Sequence, residues 1–378
     1  MNLKHRQRLF LLLSVFLLMN NSIEVFASPS FAYSEEEWER LRDNNMEYDE
    51  LAGLIREYNA TVLNNQLDLS KKRDDPTADD VAQVYRDAAD DLRGTITGDS
   101  DLADAIAEAQ ARQLELNADN NVFDLEVYRL TYEQTEKNLI MMAQADMIAY
   151  QQALVRLEIQ KQNRELQKEL LRIKESQEQV GSATYIDVLS AKKDLQNMDA
   201  GITEAEASVQ RLKQTLCVML GWNYDAYPDI QEVPGTDRSR IENMNPELDA
   251  DQAVVKNYSL KINQRKFDNA ESEITKQTLQ NTMIDNKKKI GATLRTQYQA
   301  VLQAEIAYDE AKTNFELENR NMEIAEQKKH LGSISALGFL QQQTNFLSKK
   351  AEIKIADLNL FQAMENYDWS VNGMASVK

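Results

Sequence analysis

Side chains suited to nucleophilic, acid–base or metal chemistry are scarce in this 378-residue chain, which holds two histidines (His5 and His330) and one cysteine (Cys217). His5 falls in an N-terminal leader, so one His and one Cys remain, too few for the usual zinc, haem or iron–sulfur ligand sets. Carboxylates are abundant, with 62 Asp and Glu. A general acid–base pair, however, needs a concave apolar pocket to shift its pKa values, which heptad-patterned helices rarely provide. His330 follows Lys328 and Lys329 just before Gly332, where cations favour the end of a helix. Cys217 lies in Leu216-Cys217-Val218-Met219 and reads as a small core residue. Trp222 and Trp369, each near a glycine, fit anchors of helix ends better than a binding platform. No enzyme, cofactor or metal is expected. With 43 Lys and Arg the net charge is -19, which makes phosphate backbones and anionic lipids poor partners and argues against nucleic-acid binding.

The elements that position any site are helical. Eleven Gly and five Pro are too few for an all-β fold, which needs turn signals every ~8–12 residues. Prolines stand at 29, 76, 228, 234 and 246, leaving two long regions free to be helix. Val188, Ala191, Leu195, Met198, Ile202, Ala205, Val209, Leu212, Leu216 and Met219 alternate spacings of three and four, an unbroken heptad seam. Leu294, Val301, Tyr308, Phe315 and Met322 recur every seven residues, as do Ile159, Leu166, Ile173 and Val180. At the N-terminus, Lys4, Arg6 and Arg8 precede an apolar run from Leu9 to Met19, and Val25-Phe26-Ala27 precedes Ser28. This is the pattern of a secretory signal peptide over 1–27, its run too short for a spanning helix of ~20 residues. The expected location is the extracytoplasmic cell envelope, where a lone Cys217 cannot form an internal disulfide.

The pattern is written twice. Gly181-Ser182-Ala183-Thr184-Tyr185-Ile186-Asp187-Val188-Leu189 matches Gly332-Ser333-Ile334-Ser335-Ala336-Leu337-Gly338-Phe339-Leu340. In each, a glycine ends one helix in the left-handed conformation and Ser or Thr caps the next. About forty residues on come Gly221 and Gly373. Ile55-Arg56-Glu57-Tyr58-Asn59 and Val255-Lys256-Asn257-Tyr258-Ser259 pair weakly at the front of each copy. The expected organisation is a first helical-hairpin repeat over 28–221 with an acidic, loop-like or short-helical insert at 71–120, a proline-bearing linker at 222–246, and a second repeat over 247–378.

These residues resemble the TolC-like outer membrane efflux proteins, whose two repeats each carry G-x-x-[ST]-x-x-[DE]-[VLF]-L at a hairpin turn. Gly181, Thr184, Asp187, Val188 and Leu189 match fully; Gly332, Ser335, Phe339 and Leu340 match the second copy, with Gly338 in place of the acid. The resemblance implies an all-α protomer of long antiparallel coiled-coil hairpins and a homotrimeric helical tube. It further implies tips, formed by Gly181, Ser182, Thr184, Asp187, Leu189, Gly332, Ser333, Ser335 and Leu340, that dock on a HlyD-like or MacA-like adaptor serving an inner-membrane pump, ABC-type or other. Two departures accompany it. The family's transmembrane β-hairpins have no counterpart: Lys266-Phe267-Asp268-Asn269-Ala270 lies in a helix-forming stretch from Asp249 to Leu331, and the 71–120 insert is too acidic for a lipid-facing band. Gly338 and Gln341 also stand where acidic gate residues are common. The expected function is an exported component of an efflux or secretion system; the alternative is a coiled-coil scaffold of the envelope that encloses no channel.

Overall fold

The computed structural model describes residues 33–74, 80–98 and 100–377; the leader at 1–27 lies outside them. The chain divides into two compact units, one ending at Asp43 and the other running from Asn44 to Lys378. In the first, helix α1 (Glu35–Arg40) opens on a capping box. Glu37 N–H donates to Ser34 Oγ at 3.2 Å and Ser34 N–H donates back to Glu37 at 2.7 Å, satisfying two of the N–H groups a helix start leaves unpaired.

The second unit is nearly all helix. A two-residue strand β1 (Asn45–Met46) pairs in parallel with β2 (Asp229–Ile230). Then come α2 (Leu51–Tyr58), α3 (Ala60–Asp74), α4 (Asp80–Gly94), α5 (Asp101–Asn120), α6 (Leu125–Gln179) and α7 (Tyr185–Met219). After β2 follow α8 (Ser239–Glu242), α9 (Pro246–Lys256), α10 (Tyr258–Asn269), α11 (Glu273–His330) and α12 (Ala336–Trp369). The duplication is visible element by element: α2, α3, α6 and α7 correspond to α9, α10, α11 and α12. The long pairs α6–α7 and α11–α12 are antiparallel hairpins, and α12 packs on α6 to join the repeats. At 1.5 Å per residue, the 55 residues of α6 and 58 of α11 extend roughly 85 Å, shorter than a helix unbroken from Asp249. Asn257 and Ala270–Ser272 interrupt that stretch.

The heptad seam is the hairpin contact. Val188, Ala191 and Leu216 are buried and the seven positions between and after them are half-buried, as a two-helix pair requires when each seam has one partner. Lys161–Glu206 at 2.8 Å, Arg164–Asp199 at 2.8 Å and Lys192–Glu175 at 3.2 Å flank it across α6 and α7. In repeat two, Ile290, Leu294, Val301, Leu360, Met364 and Tyr367 form the main buried cluster. Each such fully buried aliphatic side chain contributes about 1.5–3 kcal/mol.

The acidic insert is more ordered than its composition predicts: residues 71–74 complete α3, and from Asp80 on its described residues form a helical hairpin, α4 against α5. Small residues explain the close approach, since Ala82, Ala89, Ala111 and Ala118 are its buried positions. Arg93 neutralises part of the charge, at 3.3 Å from Glu108 and 2.6 Å from Glu115, while Asp87, Asp90 and Asp91 face solvent.

Candidate functional site

The two hairpin turns are built alike. Gly181 at φ +73° and Gly332 at φ +65° hold the left-handed conformation that only glycine adopts without penalty. Ser182 N–H donates to Gln177 O at 2.8 Å, and Ser333 N–H donates to Lys328 O at the same distance, the six-residue closure of a Schellman turn. The serine hydroxyls repeat the contact, Ser182 Oγ to Gln177 O at 3.1 Å and Ser333 Oγ to Lys328 O at 3.2 Å. The next helices are then capped. Thr184 Oγ1 accepts from Asp187 N–H at 3.2 Å while the Asp187 carboxylate accepts from Thr184 N–H at 2.7 Å. The Thr184 hydroxyl also donates to the Asp187 carboxylate at 2.7 Å, and this bond first, then the one from Thr184 N–H, holds the Asp187 carboxyl below the usual range. Ser335 Oγ accepts from Gly338 N–H at 3.1 Å, but Gly338 offers no returning carboxylate, so the second tip has half of the box.

All nine predicted tip residues lie in these two turns or in the first five residues of the helix that follows. Val188 and Phe339 point inward and are buried, Leu189 is exposed, and Leu340 is half-buried. The exposed apolar crown includes residues the motif does not mark: Val180, Tyr185 and Ile186 (76% exposed) on the first tip, Leu331 (81%) and Leu337 on the second. Tyr185, Ile186, Leu331 and Leu337 are apolar side chains outside the heptad series, whereas Val180 continues the series of Ile159, Leu166 and Ile173 but is exposed because α6 ends at Gln179 and leaves it past the helix pair. His330 ends α11 with Lys328 and Lys329, in keeping with a C-terminal charge. Gln341 bonds Asn345 at 3.2 Å.

At the other end of each repeat a buried asparagine ties the repeat shut, a device not recognised in the sequence. Asn59 Oδ1 accepts from Thr61 and Val62 N–H, capping α3, while Nδ2 donates to Met219 O at 2.8 Å. Asn257 Oδ1 caps α10 through Leu260 N–H, and Nδ2 donates to Gly373 O at 3.3 Å and Ala375 O at 3.1 Å. The structural equivalence is therefore Tyr58-Asn59 with Lys256-Asn257, two residues out of the register that pairs 55–59 with 255–259. A Cβ on Gly221 would fall 2.4 Å from Tyr58 Cβ, and one on Gly373 would fall 2.5 Å from Lys256 O. Trp369 Nε1 donates to Gln144 at 2.7 Å, anchoring the end of α12 on α6. Cys217 is buried, and burial pushes its thiol up.

Two aspartates join the repeats. Asp124 caps α6 through Glu126 and Val127 N–H and also accepts from Arg265 at 2.6 Å and Asn269 at 2.5 Å. Burial opposes its ionisation, but the bonds from Asn269, Val127 N–H and Arg265 outweigh burial and hold the carboxyl below its usual range. Asp119 accepts from Glu271 N–H at 2.9 Å and Ser272 N–H at 3.0 Å, serving the start of α11, where Ser272 itself forms no side-chain cap.

Among the described residues, no cluster of three His, Cys, Asp or Glu could hold a metal, and no helix is long and apolar enough to cross a membrane. No family model and no curated protein matches the sequence. Solved structures do: over 90% of this chain and 93% of its own, the outer-membrane channel OprN superposes with a TM-score of 0.51 at 13% identity. The chain has a TolC-like fold. The Campylobacter jejuni CmeC outer membrane channel matches 90% of this chain and 88% of its own at 12% identity and TM-score 0.47. The outer membrane protein VceC from Vibrio cholerae matches 87% and 97% at 11% and 0.47.

Proposed function

We propose that this chain is an exported, non-enzymatic component of an efflux or secretion assembly, docking through its hairpin tips on a HlyD-like or MacA-like adaptor paired with an inner-membrane pump, ABC-type or other. Three copies bundle their hairpins into a conduit in the extracytoplasmic envelope. The observation that carries this reading is the duplicated tip: two turns of the same hydrogen-bonded geometry, each presenting exposed apolar side chains at the far end of a long hairpin. Lateral bundling draws support from Ile306, Leu317 and Ile324, which are exposed along α11 and would be covered in a ring. The test is capture of a candidate adaptor by residues 28–378 carrying Leu189→Asp or Leu331→Asp. Capture is expected to fall while helix content by circular dichroism stays unchanged; full capture by both variants overturns tip docking.

A second reading is a non-channel scaffold of the envelope. The α4–α5 hairpin favours it, because helices stand in repeat one where the resembling family has a β-hairpin, and repeat two has only the break at Ala270–Ser272. A conduit requires a closed trimer; a scaffold remains a monomer or dimer.

A further inference from the structure

Where the two repeats meet, an open cavity of about 530 Å³ lies between α6, the α9–α10 junction and the end of α12. Lys137 and Gln144 line it from α6, Lys256, Tyr258 and Lys261 from the junction, and Trp369 from α12. The volume is that of a small-molecule site, and such sites pair aromatic walls with a few polar groups. Trp369 anchors α12 through its N–H on Gln144 at 2.7 Å and leaves its half-buried ring as one wall. Tyr258, also half-buried, is a second.

Charge decides what the cavity can hold. The carboxylates that line it, Glu365 and Asp368, share Arg240 at 2.7 and 2.5 Å, and Glu365 also accepts from Tyr48 at 3.3 Å. Those set around Tyr258 are likewise held by arginines, Glu136 by Arg56 at 3.0 Å and Glu133 by Arg129. The three lysines have no such partner: among the described residues Lys137 and Lys261 form no ion pair, and Lys256 donates to the neutral Asn372 amide at 2.9 Å. Lys261 lies over the Tyr258 ring, 5.4 Å from its centre. The polar groups left over are donors as well. Gln144 accepts from Trp369 with Oε1 and keeps its amide N–H groups, while the Tyr258 hydroxyl forms no hydrogen bond among the described residues. Burial first, then Glu133 and Glu136, raises the Tyr258 pKa, so the hydroxyl keeps its proton. In a chain of net charge -19, this is a concave site with cations and donors in excess of acceptors.

We propose that this cavity binds a small organic anion that carries an aromatic ring, its carboxylate taken by Lys137, Lys256 and Lys261 and its ring by Trp369 and Tyr258. Ammonium–carboxylate hydrogen bonds supply the stronger part and ring contacts the selectivity. Lys137 belongs to repeat one and the other groups to repeat two, so the bound anion bridges the repeats beside the Asn257 tie and stabilises the folded chain. The site is independent of tip docking, since Gln144 stands about 50 Å along α6 from the first tip.

The test titrates residues 28–378 with cinnamate by isothermal calorimetry, with cinnamyl alcohol as the neutral ring and inorganic phosphate as the anion without a ring. Saturable binding of one cinnamate per chain is expected, together with a raised melting midpoint, and each comparison compound should bind at least about tenfold more weakly. Lys137→Met and Lys261→Met should each weaken cinnamate binding about tenfold, whereas Lys137→Arg should retain it, with helix content by circular dichroism unchanged in all three. Equal affinity for the alcohol would show that the lysines do not select charge, and equal affinity for phosphate that the rings select nothing; either result overturns the proposal. Absence of saturable binding up to about 10 mM cinnamate would overturn the site itself, as would binding that neither methionine substitution weakens.

Discussion

Four glycines hold φ angles between +65° and +101° at the turns and ends of the repeats, yet they differ in what surrounds them. Nothing lies within 4 Å of a Cβ placed on Gly181, whereas at Gly373 backbone of Lys256 stands 2.5 Å away. Gly181→Ala should therefore lose only the left-handed penalty of about 1–2 kcal/mol. Gly373→Ala adds a backbone collision and should lose at least about 3 kcal/mol; urea midpoints of the two variants check the order. Asp124 supplies a pH-dependent stabilisation whose sign follows from its depressed folded-state pKa. The stabilisation is full above the unfolded carboxyl value, about pH 4, and disappears as pH falls through the lower folded value. Asp124→Asn should thus lower the melting midpoint near neutral pH, and the gap to the parent chain should close on acidification. A gap that widens in acid would contradict that assignment.

At the scale of elements, the ends of helices decide the architecture, because a helix leaves four N–H and four C=O groups unpaired at its termini. Thr184→Ala removes a hydroxyl that caps α7 and should cost about 1 kcal/mol, with faster amide exchange in the first turn of α7. Ser335→Ala should cost less, since the second tip lacks the reciprocal carboxylate. Asn257→Ala removes the α10 cap and two donations into the closing turn of repeat two, and should cost about 2–3 kcal/mol by denaturant unfolding. The tips were legible in the sequence because their bonds span three to five residues, so Gly181, Thr184, Gly332 and Ser335 could be read from local spacing. The asparagine ties were not: Asn59 reaches Met219 and Asn257 reaches Gly373, and no local spacing encodes a bond across more than a hundred residues.

For the whole molecule, the exposed apolar side chains on α11, the tips and the α4–α5 hairpin are the features a solitary chain leaves unused. Long two-helix hairpins bury one seam each, and further burial requires neighbours. Residues 28–378 should migrate without detergent at three times the chain mass in size-exclusion chromatography with light scattering; a monomer or dimer would favour the scaffold. On the proposed reading, in which the tips face an adaptor and not a second copy, tip substitutions such as Leu331→Asp should leave that mass unchanged.

The sequence by itself determined the helical class, the duplication, the heptad seams and the position of both hairpin turns. These depend on periodicity and on capping bonds between near neighbours, which any helix of this composition must satisfy. Only the tertiary structure decided that the acidic insert is a helical hairpin, that Asn59 and Asn257 hold equivalent places, each tying its own repeat shut, and that Asp119 and Asp124 join one repeat to the start of the other. Those outcomes rest on alanine packing and on hydrogen bonds between residues distant in the chain, whose partners are chosen by the fold as a whole.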